Sequence, residues 1–212
     1  MNAHFKPHDF KMLEFNPDGD LISLPNIDRS QIAALGKLPS VIAFTGLAGS
    51  GKSTASQMLV DVFGYKRHRF AGPLKSMMAA IGFDQDHIEG KFKETPNQLL
   101  DGKTPRYAMQ TLGTEWGRKL IGEDVWVNLW EDAALETLLC GTPVVVDDCR
   151  FPNEAGRVRQ LGGMVIKIVG RGGIAGDHAS EQGCGIVDAI IENDGDIDAL
   201  HSKVIRAVGR LN

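Results

Sequence analysis

The chain has 212 residues and a mass of 23.0 kDa, which suits one domain with room for a short extra lobe. Hydrophobic residues make up 42% and charged residues 24%, as in an ordinary soluble globular protein. The net charge is −4, so the protein has no general basic surface. We therefore do not expect it to bind nucleic acid or another polyanion as its main function.

The sequence also indicates the compartment. No stretch approaches the roughly 20 apolar residues of a membrane span, and the N-terminal residues contain no apolar core of an export signal. Cys140, Cys149 and Cys184 have unrelated spacings, which favours neither a disulfide framework nor a zinc site. We therefore expect a reduced, cytoplasmic protein with no membrane partner.

We interpret residues 1–38 as an N-terminal extension and residues 39–212 as the main domain. Two short alternating runs, 10–15 and 20–24, flank the sequence Asn-Pro-Asp-Gly at 16–19. Pro presets a turn and Gly accepts a positive φ, so we expect a small β-hairpin. The extension is either an element for oligomerisation, as in a homodimer, or a lid, or else a lineage-specific decoration.

Short apolar strands alternate with helical patterns from Val41 onward. The predicted strands cover residues 41–45, 66–70, 144–147, 164–170 and 187–192. The predicted helices cover residues 52–63, 73–81, 105–120, 125–139, 152–161 and 196–211. Continuous runs of Val and Ile with helices between them are typical of a parallel sheet buried on both faces, so the sequence predicts an α/β layered domain.

The strongest motif is a phosphate-binding loop. Residues 46–53 read GLAGSGKS, which fits G-x-x-x-x-G-K-[ST], and a predicted strand precedes them while a helix follows. Such a loop turns backbone N–H groups inward around a phosphate at a helix N-terminus. Lys52 is expected to reach the β- and γ-phosphates, and the Ser53 hydroxyl to bind Mg²⁺. The candidate nucleotide-binding residues are Gly46, Ala48, Gly49, Ser50, Gly51, Lys52, Ser53 and Thr54.

Two aspartates, Asp147 and Asp148, end the predicted strand at 144–147. A phosphate loop needs a metal-polarising carboxylate at the end of another strand. We expect Asp147 to join Ser53 at the metal and Asp148 to act on the acceptor, although the two roles could be exchanged. Arg150, three residues past the strand end, is expected near the transferring phosphoryl group, so that Lys52, Asp148 and Arg150 are the candidate catalytic residues.

A second anion site is indicated by Lys75, in the first turn of the helix predicted at 73–81. A cation at a helix N-terminus opposes the usual dipole preference. A phosphate bound at this helix start would explain it, and a solvated surface lysine is an equal alternative.

The predicted helix at 105–120 carries an apolar and a polar stripe. At 100° per residue the expected core stripe contains Met109, Leu112, Trp116 and Leu120. Trp116 is expected in the core, and a platform on which the base of a substrate stacks is the alternative. The neighbouring stripe contains Arg106, Gln110, Gly113 and Gly117, with Thr114 and Arg118 beside it. Small glycines among polar side chains predict a shallow groove for a phosphate and a planar base. The candidate substrate-binding residues are Lys75, Arg106, Gln110, Thr114, Trp116, Arg118, Asp148 and Arg150.

The glycine-rich segment at 171–185 predicts a flap that closes over phosphates and excludes water. Its candidate residues are Arg171, His178 and Glu181. An exposed loop histidine is an equal interpretation of His178, and zinc is not expected there because no partner ligands share its spacing.

Five segments, in chain order, resemble the bacteriophage-type deoxynucleoside monophosphate kinases. They read FAGPLK, GKTPRYAMQTLGTEWGR, VVVDDCRFPNE, DHASE and AIIENDG, within a resemblance that covers about residues 38–212. It implies a P-loop nucleoside monophosphate kinase-like, three-layer fold with a five-stranded parallel sheet, a helical substrate region and a flap. It also implies that Asn193 and Gly195, in the turn after the last strand, lie beside the adenine of ATP.

The resemblance implies transfer of a phosphoryl group from ATP to a deoxynucleoside monophosphate, with Mg²⁺, in the host cytoplasm if the source is viral. A weaker similarity to animal-type phosphomevalonate kinases keeps open a kinase of another phosphorylated small metabolite. An ATP-binding switch or NTPase is the alternative from a different class.

Overall fold

The computed structural model describes residues 38–172 and 183–209. The predicted N-terminal hairpin and the flap residues His178 and Glu181 lie outside these ranges. Of the described residues, 38–67 and 137–209 form one compact unit, and His68–Glu136 form a second.

The helices and strands follow one another much as the hydrophobic pattern predicts. In chain order they are β1 (Val41–Thr45), α1 (Lys52–Phe63), β2 (Lys66–Arg67), α2 (Gly72–Ala80), α3 (Gln85–Ile88), a 3₁₀ turn (Gln98–Leu100), α4 (Pro105–Thr111), a π-helix (Leu112–Ile121), α5 (Val125–Leu139), β3 (Val144–Val146), α6 (Pro152–Gln160), β4 (Met164–Val169), β5 (Ala189–Glu192) and α7 (Ile197–Gly209). None of these described helices is long and apolar enough to cross a bilayer.

The first unit is built on a five-stranded parallel sheet with strand order β2-β3-β1-β4-β5. The central strand β1 is buried along its whole length, and its Ile42 is in register with Val145 of β3 and Met164 of β4. The α/β fold expected from the sequence is confirmed. Because β1 and β3 are neighbours and parallel, the segments after Thr45 and Val146 leave the same edge of the sheet.

The core of this unit has helices on both faces of the sheet. Ile42 and Phe44 of β1 pack with Leu59 of α1 and with Leu200 and Val204 of α7. The alternate side chains of β1 point to the other face, where α6 contacts β1 and β4. The unit therefore has the three layers that the resemblance implies.

Strand β2 is shorter than predicted. The sequence predicts a strand over 66–70, but only Lys66 and Arg67 pair, with Val144 and Val145. The partner strand β3 has three residues, so the ladder could add at most one further pair. The chain then turns, since the Gly72 N–H donates to the carbonyl oxygen of Arg69 at 3.0 Å.

The second unit is helical and has its own apolar cluster. Its buried members come from α2, the α2–α3 connection, α3, α4 and α5, and they are Leu74, Met78, Phe83, Ile88, Met109 and Trp126. Trp130 of α5 packs on Phe70, with ring centroids 4.5 Å apart, and its Nε1 donates to the His68 carbonyl oxygen at 3.3 Å.

The single helix predicted at 105–120 is instead α-helical only to Thr111 and continues as a π-helix to Ile121. A π-helix has i→i+5 hydrogen bonds, so a stripe drawn at 100° per residue loses register. Met109 is buried as expected, but Trp116 and Leu120 are 38% and 76% exposed, and Gly117 faces inward instead. The prediction of Trp116 and Leu120 as core residues was wrong for this reason.

Candidate functional site

The phosphate loop at 46–53 is wrapped tightly between β1 and α1. Gly46, Gly49 and Gly51 have φ values of +134°, +78° and +105°, which side-chain-bearing residues rarely adopt. A Cβ on Gly46 would lie 2.3 Å from the backbone oxygen of Ile168. A Cβ on Gly51 would lie 2.7 Å from Nδ2 of Asn193. The glycines of the motif are therefore required by close approach as well as by backbone angle.

Inside this loop, the Lys52 side chain is held by backbone carbonyl oxygens of other loop residues. Its ammonium donates to the carbonyl oxygens of Gly46 at 2.8 Å and Leu47 at 2.6 Å. Burial lowers the pKa of Lys52, and Arg150 lowers it further, while Asp147 and Asp148 act in the opposite direction. Phosphate oxygens would supply the anionic partners that this desolvated ammonium lacks.

The Ser50 hydroxyl gives a second indication of a ligand. Ser50 is fully buried, and among the residues that the structure describes its Oγ has no hydrogen-bond partner. Buried hydroxyls normally have one. An orphaned hydroxyl within a phosphate loop fits an anion bound there.

Asn193, in the turn after β5, braces the loop from behind. It is only 6% exposed, its Nδ2 donates to the Ser50 carbonyl oxygen at 2.9 Å, and its N–H donates to Val169 at 2.7 Å. Arg171 donates from Nη2 to the Gly195 carbonyl oxygen at 2.5 Å. The predicted contact of this turn with adenine stays a prediction.

Asp147 follows β3 at the sheet edge where the loop begins, as the sequence predicts. It is buried, its Oδ2 lies 3.4 Å from the Ser56 hydroxyl, and Nε of Arg67 lies 3.6 Å from the same oxygen. The Ser56 hydroxyl is also 3.1 Å from the Ser53 carbonyl oxygen, so Ser56 links the carboxylate to the first turn of α1. Asp148 is half-buried, whereas Ser53 and Thr54 are exposed.

The oxygen donors at this edge fit a magnesium ion. Mg²⁺ is usually held by one or two carboxylates together with water and substrate phosphates. Asp147 and the Ser53 hydroxyl are donors of this kind. Within 38–172 and 183–209, no group of three or more His, Cys, Asp or Glu side chains is placed to hold a metal ion.

Arg150 is positioned through its backbone. The N–H groups of Arg150 and Phe151 donate to Oε2 of Glu154 at 2.7 and 3.0 Å. Glu154 is only 3% exposed and lies in the first turn of α6. The turn after Asp148 is thereby fixed while the Arg150 side chain remains exposed.

Three of the cations predicted to bind the acceptor, Lys75, Arg106 and Arg118, lie in the second unit, and each has a partner within it. Lys75 forms an ion pair with Glu89, and Arg69 and Lys93 each lie 3.6 Å from the same carboxylate. Although burial acts in the opposite direction, these cations lower the pKa of Glu89. Three positive side chains are thus gathered around one carboxylate.

Arg106 and Arg118 follow the same pattern. Arg106 forms an ion pair with Glu94, and Nη1 of Arg118 donates to the Glu123 carbonyl oxygen at 3.1 Å. Gln110 and Thr114 are half-buried. The guanidinium group of an arginine suits bidentate contacts to a phosphate.

The groove predicted at Gly113 and Gly117 is occupied. A Cβ on Gly113 would lie 3.1 Å from Cδ1 of Leu74, and one on Gly117 would lie 2.5 Å from Nε1 of Trp126. Trp126 also donates from Nε1 to the Gly113 carbonyl oxygen at 2.8 Å. The glycines therefore admit apolar side chains of their own unit, and the expectation of an open polar groove over them was wrong.

Several contacts at the site were not predicted from the sequence. No local sequence pattern indicates the contact of Arg67 with Asp147 or that of Glu89 with Lys75. Glu154 does carry one, because a proline at the first helical position with an acid two residues later is typical of a helix start.

A phosphate loop after the central strand, with a buried aspartate after the neighbouring parallel strand, defines a P-loop nucleotide-binding protein. Within this class the assignment is narrower. Residues 83–204 match the sequence model of the family described as deoxynucleotide monophosphate kinase. The chain belongs to this family, as the segments quoted above imply.

Two relatives and one solved structure illustrate the similarity. A protein of Acanthamoeba polyphaga mimivirus, provisionally named a deoxynucleotide monophosphate kinase, is 32% identical over 79% of this chain and 95% of its own length. The deoxynucleotide monophosphate kinase of Enterobacteria phage T4 is 31% identical over 54% of this chain and 49% of its own. An APS kinase structure from Mycobacterium tuberculosis covers 81% of this chain and 98% of its own, with 16% identity and a TM-score of 0.41.

Proposed function

We propose that this protein transfers the γ-phosphoryl group of ATP to a deoxynucleoside 5′-monophosphate, yielding ADP and the diphosphate. The observation that carries the proposal is a complete phosphate loop, with Lys52 bonded to Gly46 and Leu47, in a chain of the deoxynucleotide monophosphate kinase family. This membership favours a nucleotide acceptor over phosphomevalonate, and a kinase over an ATP-binding switch.

The donor residues lie in the first unit. The backbone N–H groups of the loop and the Lys52 ammonium bind the β- and γ-phosphates. To reach them, Lys52 gives up its hydrogen bonds to the carbonyl oxygens of Gly46 and Leu47. Ser53 and Asp147 would hold Mg²⁺, which when bound neutralises charge on the phosphates. Asn193 keeps the loop in shape through Ser50.

The candidate acceptor residues are the charged and polar side chains that the sequence singles out. We assign the monophosphate to Lys75, Arg106 and Arg118, with Gln110 and Thr114 on the nucleoside. The acceptor phosphate is already an anion, so no strong general base is required, and alignment with charge neutralisation supplies most of the rate. Asp148 and Arg150 orient the acceptor and neutralise the transferred group.

The decisive assay offers ATP and Mg²⁺ with each of the common ribo- and deoxynucleoside monophosphates and resolves the products by chromatography. We expect diphosphates from at least one deoxynucleotide, with discrimination among bases. If every nucleoside monophosphate is rejected, the result supports a kinase of another phosphorylated metabolite. If DNA stimulates ATP hydrolysis and no phosphorylated product forms, the result supports an ATP-binding switch or NTPase.

The same assay tests Lys52. Lys52→Ala removes the only side-chain ammonium of the loop and should lower turnover by at least about 100-fold, with little change in thermal unfolding because the lysine donates only to loop carbonyls. Lys167→Ala, at an exposed position of β4, is the matched control and should keep wild-type turnover. Wild-type turnover in Lys52→Ala would contradict the assigned role.

A further inference from the structure

Two cysteines distant in sequence meet beside the phosphate loop. Cys149 follows Asp148 after β3, and Cys184 precedes β5; both are free and buried. Their side chains are hydrogen-bonded to each other, and Cys184 is also hydrogen-bonded to the side chain of Thr45. Thr45 is the residue directly before Gly46. The kinase mechanism uses neither thiol.

The backbone around Cys184 is held in place while remaining at the surface. Gly183 and Gly185 on either side are exposed and have φ values of +91° and +81°. Arg159 of α6 donates from Nη2 to the Ile186 carbonyl oxygen at 2.5 Å and contacts Asp188 at 3.3 Å. The segment therefore holds the Cys184 thiol inward, against Cys149, between two glycines that lie at the surface.

We propose that Cys149 and Cys184 are a reversible oxidation site, which closes to a disulfide when a peroxide is present and reopens with a thiol reductant. Cytosolic disulfides of this kind are usually transient and redox-sensing. The hydrogen bonds from Cys149 and Thr45 lower the pKa of Cys184 to about 6. A lowered pKa increases the share of the nucleophilic thiolate at neutral pH.

The chemistry is a two-electron oxidation. The Cys184 thiolate attacks one oxygen of hydrogen peroxide, the O–O bond breaks, and a sulfenic acid and hydroxide form. The Cys149 sulfur then attacks the Cys184 sulfur, the S–O bond breaks, and the disulfide forms. The two peroxide oxygens leave as two molecules of water, which carry the two hydrogens of the peroxide and the two thiol protons, and each cysteine is oxidised by one electron.

This bond should also affect turnover, a consequence that rests on the proposed function. Cys149 lies between Asp148 and Arg150, and the Cys184 thiol loses its hydrogen bonds to Thr45 and Cys149 when it becomes part of a disulfide. The strand end that carries the acceptor-orienting residues is then tied to the segment before β5. We expect a several-fold fall in turnover.

The test treats the full-length protein with hydrogen peroxide, blocks remaining thiols by alkylation, and maps the peptides by mass spectrometry. We expect one linked peptide pair containing Cys149 and Cys184, lighter by two hydrogen atoms than the reduced pair, and its loss after dithiothreitol. Cys140→Ser, which removes the exposed third thiol, is the matched control and should still form the link. Cys149→Ser and Cys184→Ser should not.

Turnover is measured on the same samples. Peroxide should lower it reversibly in wild type and Cys140→Ser but not in Cys149→Ser or Cys184→Ser. Peptide mapping of the wild-type protein needs no variant, so a variant that fails to fold leaves the proposal falsifiable. Peroxide treatment that leaves both thiols reduced, or that over-oxidises Cys184 without the link, overturns the oxidation site whether or not the protein is a kinase.

Discussion

Asn193 shows how one buried amide can shape a nucleotide loop. It reaches Ser50 across 143 residues of sequence, and its Nδ2 occupies the space that a Cβ on Gly51 would need. The sequence motif accounts for the glycine but not for the asparagine that packs on it. The resemblance assigned Asn193 to the nucleotide, whereas the structure shows its side chain committed to the loop itself.

Replacing Asn193 by Ala should therefore weaken both folding and ATP binding. The Ser50 carbonyl loses its partner in a buried site, which costs about 1–3 kcal/mol. We also expect a several-fold rise in KM for ATP, measured beside urea unfolding.

Asn128→Ala, at an exposed position of α5, is the control and should change stability by less than about 0.5 kcal/mol. A stability loss in Asn193→Ala with an unchanged KM for ATP would mean that the amide stabilises the fold without shaping the nucleotide site.

Among the helices and strands, the π-helix at Leu112–Ile121 departs furthest from prediction. Extended π-helical segments are rare and often occur at functional sites. Here the segment contains Thr114 and Arg118, and its inward face is closed by Trp126 packing over Gly113 and Gly117. Because the extra residue per turn turns Trp116 outward, the indole stays accessible and its centroid lies 6.0 Å from that of Trp126.

Gly117→Ala tests this packing. The new methyl group would lie 2.5 Å from Nε1 and 2.6 Å from Cζ2 of buried Trp126, so the indole must move. Overpacking of this kind lowers the free energy of unfolding by about 1–3 kcal/mol. Ala gains roughly 1 kcal/mol over Gly in a helix, so we expect a net loss of stability in urea unfolding.

Two other glycines provide controls of graded size. A Cβ on Gly113 meets only the flexible end of Leu74, at 3.1 Å, so Gly113→Ala should be close to neutral. A Cβ on Gly156 in α6 meets nothing within 4 Å, so Gly156→Ala should stabilise by about 1 kcal/mol. Equal effects at all three positions would contradict the close contact with Trp126.

At the scale of the whole molecule, the pH dependence of stability should reflect His201. This histidine of α7 is buried, with 7% of its surface exposed. Burial lowers the pKa of His201 below 6.5, although Asp198, Asp61 and the Thr54 backbone act in the opposite direction.

Because the pKa of His201 is lower in the folded protein, the unfolded chain takes up a proton on this histidine more readily. The contribution of neutral His201 to stability is therefore complete above the unfolded pKa near 6.5 and is lost as the pH falls below it. His201→Leu keeps an apolar side chain at the position and should flatten the slope of unfolding free energy between about pH 7 and about pH 5.

The comparison is made by urea unfolding of both proteins, with the difference at about pH 8 as the reference, because histidine is neutral there in both states. An unchanged slope in His201→Leu would show that other groups cause the acid sensitivity.

The sequence by itself determined the features that depend on neighbours along the chain. The strand, loop and helix around Lys52 follow from hydrophobic runs and glycine spacing, and β1, α1 and α5 have the predicted bounds. The family follows from segments whose order and residues are specific. Asp147 could be placed at the edge of the sheet because parallel strands end together.

Only the tertiary structure decided which side chains meet across the fold. Arg67 on Asp147, Asn193 on Ser50, and Cys149 on Cys184 join residues whose separation leaves no periodic trace in the sequence. Within the π-helix, Gly113 and Gly117 contact Trp126, a buried tryptophan of a later helix. Hydrophobic periodicity reports which face of an element is buried, but the partner on that face depends on packing among elements.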